Sequence, residues 1–271
     1  MDSEQYDEHG RQLFLNGRYE EALESFRQGL RRFPDDEDLT LGVGMCQARL
    51  GNVIPAIETF EALRAKRPDW GDALLGLTDA YLKLGRLAVA VKTAEDATRG
   101  ETDAAFIHEV ARLFFDHRRY VEAERLYRRA ARLEGKFPPS HLGLGACLHR
   151  LGHLAEAEAE IREAIRLDPE YWPAHQYLGN ILYELDRKEE AREALDKVPL
   201  DTTWHRLALE RLASMYPVER PKRLAIESML RRSPRSTGPR GIAALLAQLE
   251  KRFDHAKKKK KKHHPKDEPS D

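Results

Sequence analysis

The chain repeats itself every 34 residues, and no other feature narrows its possible folds as much. Gly17, Gly51, Gly85 and Gly152 are each followed five residues later by alanine, at Ala22, Ala56, Ala90 and Ala157. Arg118 with Ala123 and Asp186 with Ala191 keep the alanine and lose the glycine. Pro34, Pro68 and Pro169 recur near the end of the same period. Units then start at residues 3, 37, 71, 104, 138 and 172, giving four intervals of 34 and one of 33. This period marks stacked helix–turn–helix units, and the dominance of Leu, Ala, Glu and Arg favours helix. One such unit cannot bury its apolar face alone, so neighbours must stack on it.

Within the unit, bulky and small residues hold fixed places. Leu144-Gly145 and Leu178-Gly179 occupy positions 7 and 8, and Tyr81 and Phe114 occupy position 11. Phe26, Phe60 and Tyr127 stand at position 24, and Ala97, Ala130 and Ala164 at position 27. Small residues let helices approach closely, and large ones fill the gaps between them. Glycine after the first helix suits a left-handed cap, and proline near position 32 stops the second helix.

Over residues 3–205 this pattern resembles the tetratricopeptide repeat family. The resemblance implies an all-α fold, a right-handed superhelix of six to seven helix–turn–helix units. The six clear units are expected at 3–36, 37–70, 71–103, 104–137, 138–171 and 172–205. A divergent seventh is expected at 206–239. There Leu212-Ala213, Tyr216, Ala225 and Met229 keep the pattern, while Pro217 and Pro221 should shorten the first helix and reshape the turn. Ile242, Leu245, Leu246, Leu249 and Phe253 follow helical spacing and predict a capping helix over 240–255. Residues 256–271 read as a disordered lysine-rich tail.

In the family, the first helix of each unit lines a concave groove, mainly through positions 2, 5, 9, 12 and 13. Carried onto this chain, the groove would show Leu41, Met45 and Arg49, then Leu75, Leu82 and Lys83. Next would come His108, Arg112 and Phe115, followed by Leu142, His149 and Arg150. Apolar residues mixed with cations suit an extended or helical peptide with apolar anchors and acidic flanks. The implied function is an interaction scaffold or adapter that holds a segment of a protein partner. Some relatives grip a chaperone's C-terminal carboxylate with Lys and Asn. Here those positions hold Asp7, Arg11, Gly42, Asp72 and Gly76, or His108, Arg112, Gly143, Pro173 and Tyr177. No chaperone carboxylate clamp is therefore expected.

The net charge of zero hides an asymmetry: residues 1–200 carry −9 and residues 201–271 carry +9. The lysine block Lys257, Lys258, Lys259, Lys260, Lys261 and Lys262 would stay solvated, and reads first as a solubilising tail. It could also contact nucleic acid or anionic lipid weakly through charge. No aromatic residue interleaves it, so base stacking has no support. No apolar run approaches the roughly 18 residues of a membrane span, and the acidic N-terminus is unlike a secretory signal. A cytoplasmic location is expected.

Little here advertises chemistry. No phosphate loop, nucleophile elbow or zinc signature is present, so no enzyme activity and no cofactor are expected. Cys46 and Cys147 sit at position 10, three repeats apart, and read as small buried thiols rather than a disulfide. His149 and His153 have a chelating spacing, but Gly152 lies between them where the helix should end. His141 and His175 stand at the bulky position 4 and read as half-buried spacers. His263 and His264 adjoin the lysine block and could bind metal only adventitiously.

Overall fold

The computed structural model describes residues 2–101, 103–199, 206–216 and 221–232. Every regular element among them is an α-helix. Antiparallel pairs follow one another: α1 (Ser3–Leu15) with α2 (Tyr19–Arg32), α3 (Glu37–Arg49) with α4 (Val53–Lys66), and α5 (Gly71–Lys83) with α6 (Leu87–Thr98). The pairs continue as α7 (Ala104–Asp116) with α8 (Tyr120–Leu133), and α9 (Pro138–Leu151) with α10 (Leu154–Leu167). Then come α11 (Trp172–Glu184) with α12 (Lys188–Asp196), and α13 (Arg206–Ser214) with α14 (Pro221–Arg232). The chain divides into two compact units, residues 1–140 and 141–271.

Local chemistry sets the helix ends. Asp2, Asp36 and Asp103 accept backbone N–H groups of α1, α3 and α7, and Gln5 completes a capping box with Asp2. The 33-residue interval is absorbed by α6, which stops at Thr98, before Gly100 at φ +70°. α12 is also short, nine residues long, because Pro199 arrives early and disfavours helix in the residue before it. The turns between paired helices need left-handed backbone: Gly17, Gly51, Gly85 and Gly152 have φ of +77°, +82°, +71° and +88°. A Cβ on any of these four would meet nothing within 4 Å, so conformation rather than space selects glycine there.

Arg118 and Asp186 replace that glycine yet keep φ of +59° and +58°. A non-glycine residue is strained in this region. Asp186→Gly is therefore expected to stabilise the protein by about 1 kcal/mol, after the added freedom of the unfolded glycine is subtracted. A urea titration should show a higher midpoint at constant slope. A lower midpoint would mean that the exposed Asp186–Lys188 pair, at 2.9 Å, outweighs the backbone strain.

In unit 1 the core is built by position 24. The Phe26 ring lies against Gly10 of its own repeat and Gly42 of the next, and Phe60 lies likewise against Gly44 and Gly76. In unit 2, Ile161 packs on Gly145 and Leu195 on Gly179. Ala157, Ile161 and Ala164 form the buried stripe of α10. The last pair departs from the pattern expected for it. α13 spans nine residues, Ala225 is exposed, and Ile226 is buried in its stead beside Leu209 and Leu212. The longer connection between α13 and α14 accompanies this one-residue change of register. The expected capping helix at 240–255 and the tail lie outside the described residues.

Candidate functional site: the first-helix faces

Within unit 1, α1, α3, α5 and α7 pack side by side. No comparable contact joins α2 to α4 or α4 to α6 among the described residues. Spacing is tighter on the first-helix side, which makes that side the concave one in unit 1. Its projected residues separate by repeat position. Leu41, Leu82, His108 and Phe115, at positions 5 and 12, are buried, and Leu75 is half-buried. Neighbouring first helices close over these side chains, which serve packing. Met45, at position 9, is 40% exposed, Arg49 and Lys83 at position 13 are exposed, and Arg112 is half-buried.

The cations of this face have acidic company that a tally of cations missed. Lys83 Nζ lies 2.7 Å from Asp79 and donates to the Ala48 carbonyl at 3.2 Å. His117 Nε2 lies 3.1 Å from the same carboxylate. Burial pushes the Asp79 carboxyl up, but the bonds from His117 and Lys83 outweigh it and hold it below the ordinary value. Arg112 lies 3.6 Å from Asp116, whose carboxyl burial raises above the usual range. Both pairs are four residues apart on one helix, a spacing readable in the sequence. Arg49 instead stands over the Phe14 ring, 5.9 Å from its centroid.

In unit 2 a polar network crosses three first helices. His149 of α9 meets the Tyr177 hydroxyl through Nδ1 at 3.3 Å and Glu184 of α11 through Nε2 at 2.6 Å. Arg211 of α13 donates to Glu184 at 2.7 Å and to the Asn180 carbonyl at 2.5 Å, and stacks 5.2 Å from the Tyr183 ring. Burial raises the Glu184 carboxyl, while bonds from Arg211 and His149 outweigh it and leave it below its usual range. Asn180 Oδ1 is buried with no hydrogen-bond partner. Asn180, Tyr183 and Glu184 are positions 9, 12 and 13 of the sixth repeat, beyond where the projection stopped. Of the projected residues, Leu142 is buried, His149 belongs to this network, and Arg150 is exposed.

The remaining candidates are structural or lie elsewhere. His153 is exposed beyond the Gly152 turn and lies 3.7 Å from Glu156. His141 Nδ1 meets Glu160 at 2.8 Å, and His175 Nε2 donates to the Pro169 carbonyl at 2.9 Å. Cys46 and Cys147 are free and buried, and burial pushes the Cys46 thiol up to about 12. Among the described residues, no group of three or more His, Cys, Asp or Glu is arranged to hold a metal ion. No described helix is long and apolar enough to cross a membrane. Lys257 to Lys262 lie outside the described residues.

No curated protein matches the chain. Solved structures do. A tetratricopeptide repeat protein from Parabacteroides merdae is 16% identical, covers 84% of this chain and 97% of its own, and aligns with a TM-score of 0.56. The pilF protein of Pseudomonas aeruginosa is 17% identical, with 78% and 97% covered and a TM-score of 0.56. The C-terminal part of a repeat protein from Cytophaga hutchinsonii is 16% identical, with 88% and 99% covered and the same TM-score. At such identities the likeness is one of fold alone. Models described as tetratricopeptide repeat match residues 13–73, 56–105, 110–172 and 150–202. Paired helices of 34-residue period, left-handed turn residues and these matches over most of its length agree: the chain belongs to the tetratricopeptide repeat family, whose fold serves in general as a scaffold for protein–protein interaction.

Proposed function

We propose that this chain is a non-enzymatic adapter that holds an extended or helical segment of a partner protein on the first-helix faces of its repeats. The observation that carries this reading is Met45, an apolar side chain left 40% exposed on the concave side of unit 1, one helical turn from the exposed Arg49. A flexible thioether beside a guanidinium suits an apolar anchor with an acidic neighbour. In unit 2, Tyr177, Tyr183 and Arg211 offer the residue types that dominate interface energetics. Lys83 and Arg112 are compensated within their own helices, so the acidic flank of the partner is read by Arg49 and Arg150.

The test follows from that distinction. Reversing Lys83 or Arg112 would set a glutamate against Asp79 or Asp116 and disturb the fold. Met45→Glu with Arg49→Gln changes exposed groups and sets no new carboxylate beside Asp116, which feels the Arg49 charge. In the full chain this pair should weaken a purified partner's affinity at least about tenfold, with the melting temperature unchanged. Leu133→Glu, on α8, serves as the control. Affinity equal to that of the unaltered chain would remove the first-helix face of unit 1 as the binding surface.

A further inference from the structure

Unit 1 is polarised from one end of its helical hairpins to the other. All its first helices run parallel, so the turns from first to second helix line one rim. Seven large apolar side chains among the described residues of unit 1 are exposed, and five of them lie on this rim: Leu15, Ile54, Leu84, Val89 and Val121. Leu15 ends α1 and Leu84 caps α5, while Ile54, Val89 and Val121 stand in the first turns of α4, α6 and α8. None of them is buried in the core; Leu15 stands at position 13, where groove and rim meet, and the other four lie outside the groove positions.

Charge follows the same polarity. The rim segments 15–21, 49–55, 83–89 and 116–122 hold six Arg or Lys against four Asp or Glu. The opposite turns, at 31–38, 65–72 and 99–105, hold five against eight. On the rim, Arg86, Arg118 and Arg119 are exposed and make no ion pair among the described residues. Arg18 is matched by Glu21 at 2.6 Å. Two edge-to-face aromatic pairs complete the rim, Phe14 with Tyr19 at 5.1 Å and Phe115 with Tyr120 at 5.4 Å. Tyr19 and Tyr120 are half-exposed, as suits rings at a boundary between apolar and aqueous phases.

From this we infer that the turn rim of unit 1 is a peripheral docking surface for membranes with anionic headgroups. The aliphatic side chains are spread over four turns, Leu84 and Val89 sharing one, about 10 Å from repeat to repeat. Separate tips of this kind do not form the central pocket of a protein hot spot. A fluid lipid surface accepts each tip independently, and free arginines between them meet phosphate and carboxylate headgroups. A chain docked by its rim keeps its first-helix faces open along the membrane plane. The rim shares Arg49 with the partner reading above, but Arg86, Arg119, Ile54, Leu84, Val89 and Val121 lie outside the groove positions, so variants there separate the two readings.

Vesicle flotation of the full-length chain tests it, comparing phosphatidylcholine alone with vesicles of roughly one-third phosphatidylserine. The lysine block would bind anionic lipid by itself, so Lys257 to Lys262 are first replaced by serine. That chain should still float with the anionic vesicles and not with the neutral ones. In this background Arg86→Glu with Arg119→Glu should lower partitioning about tenfold, as should Ile54→Asn with Val89→Asn and Val121→Asn. Leu84→Trp should add emission that brominated lipid quenches, a readout that needs no loss of binding. Flotation abolished with the lysine block, rim variants that float like their parent, or a tryptophan at position 84 that is unquenched would each overturn the inference.

Discussion

Phe60→Ala is expected to remove about 3–5 kcal/mol of stability. Phe60 has no solvent exposure. Its ring is clasped by two glycines: a Cβ on Gly44 would come within 2.6 Å of it, and one on Gly76 within 2.5 Å. Those glycines belong to successive repeats, so the ring is the contact between α4, α3 and α5. Glycine has no side chain with which to collapse into the space a lost ring would leave, so the cavity persists. Repeat arrays derive stability from nearest-neighbour contacts, so the loss should be felt at this junction rather than spread evenly. Urea unfolding should show either a lower midpoint or a separate early transition for the first two repeats. Hydrogen exchange would then report faster opening in α3 and α4 than in α7. A loss under about 1 kcal/mol would show that the glycine faces close over the gap.

The same junctions show how much of this molecule could be read from its letters. The first-helix starts at Ser3, Glu37, Gly71, Ala104, Pro138 and Trp172 follow from small and large residues recurring at fixed spacing. Spacing is legible because helix packing forces it: a phenylalanine at position 24 demands a near-absent side chain at position 8. The open or closed state of each groove position was not legible. Leu41 and Met45 are both apolar and one turn apart, yet the first is 6% exposed and the second 40%. The difference comes from where the adjacent first helix crosses, which is a property of the stack and not of the residue. Charge on this face is legible at shorter range: Lys83 and Arg112 each have a carboxylate four residues away, Asp79 and Asp116, and the structure pairs both. In α14, Ala225 matched the pattern while Ile226, one residue on, took the buried place.

His108 should make the protein sensitive to mild acid, and its replacement should remove the larger part of that sensitivity, with buried His175, whose burial also lowers its pKa, keeping a smaller share. The ring is 3% exposed and stands edge-to-face with Tyr127 at 5.0 Å and Phe137 at 5.6 Å. Its Nδ1 is buried without a hydrogen-bond partner. Burial first, and the nearby Arg112 guanidinium second, push its pKa down to about 3. An unfolded histidine titrates near 6.5. Between those values the unfolded chain binds the proton and the folded chain refuses it. Stability from this residue is therefore fully present above about pH 6.5 and falls by about 1.4 kcal/mol per pH unit as the medium is acidified toward 3. His108→Leu fills a similar volume with no polar atom to desolvate. It should raise stability at pH 7.5 by about 1–2 kcal/mol, since an unsatisfied buried acceptor is removed. It should also flatten the decline between pH 7 and 5, where the exposed carboxylates contribute little because they stay ionised in both states. Urea midpoints for the two chains at several pH values decide the matter. Parallel curves would mean that the folded ring takes up a proton as readily as the unfolded one, and that the aromatic wall around His108 admits water.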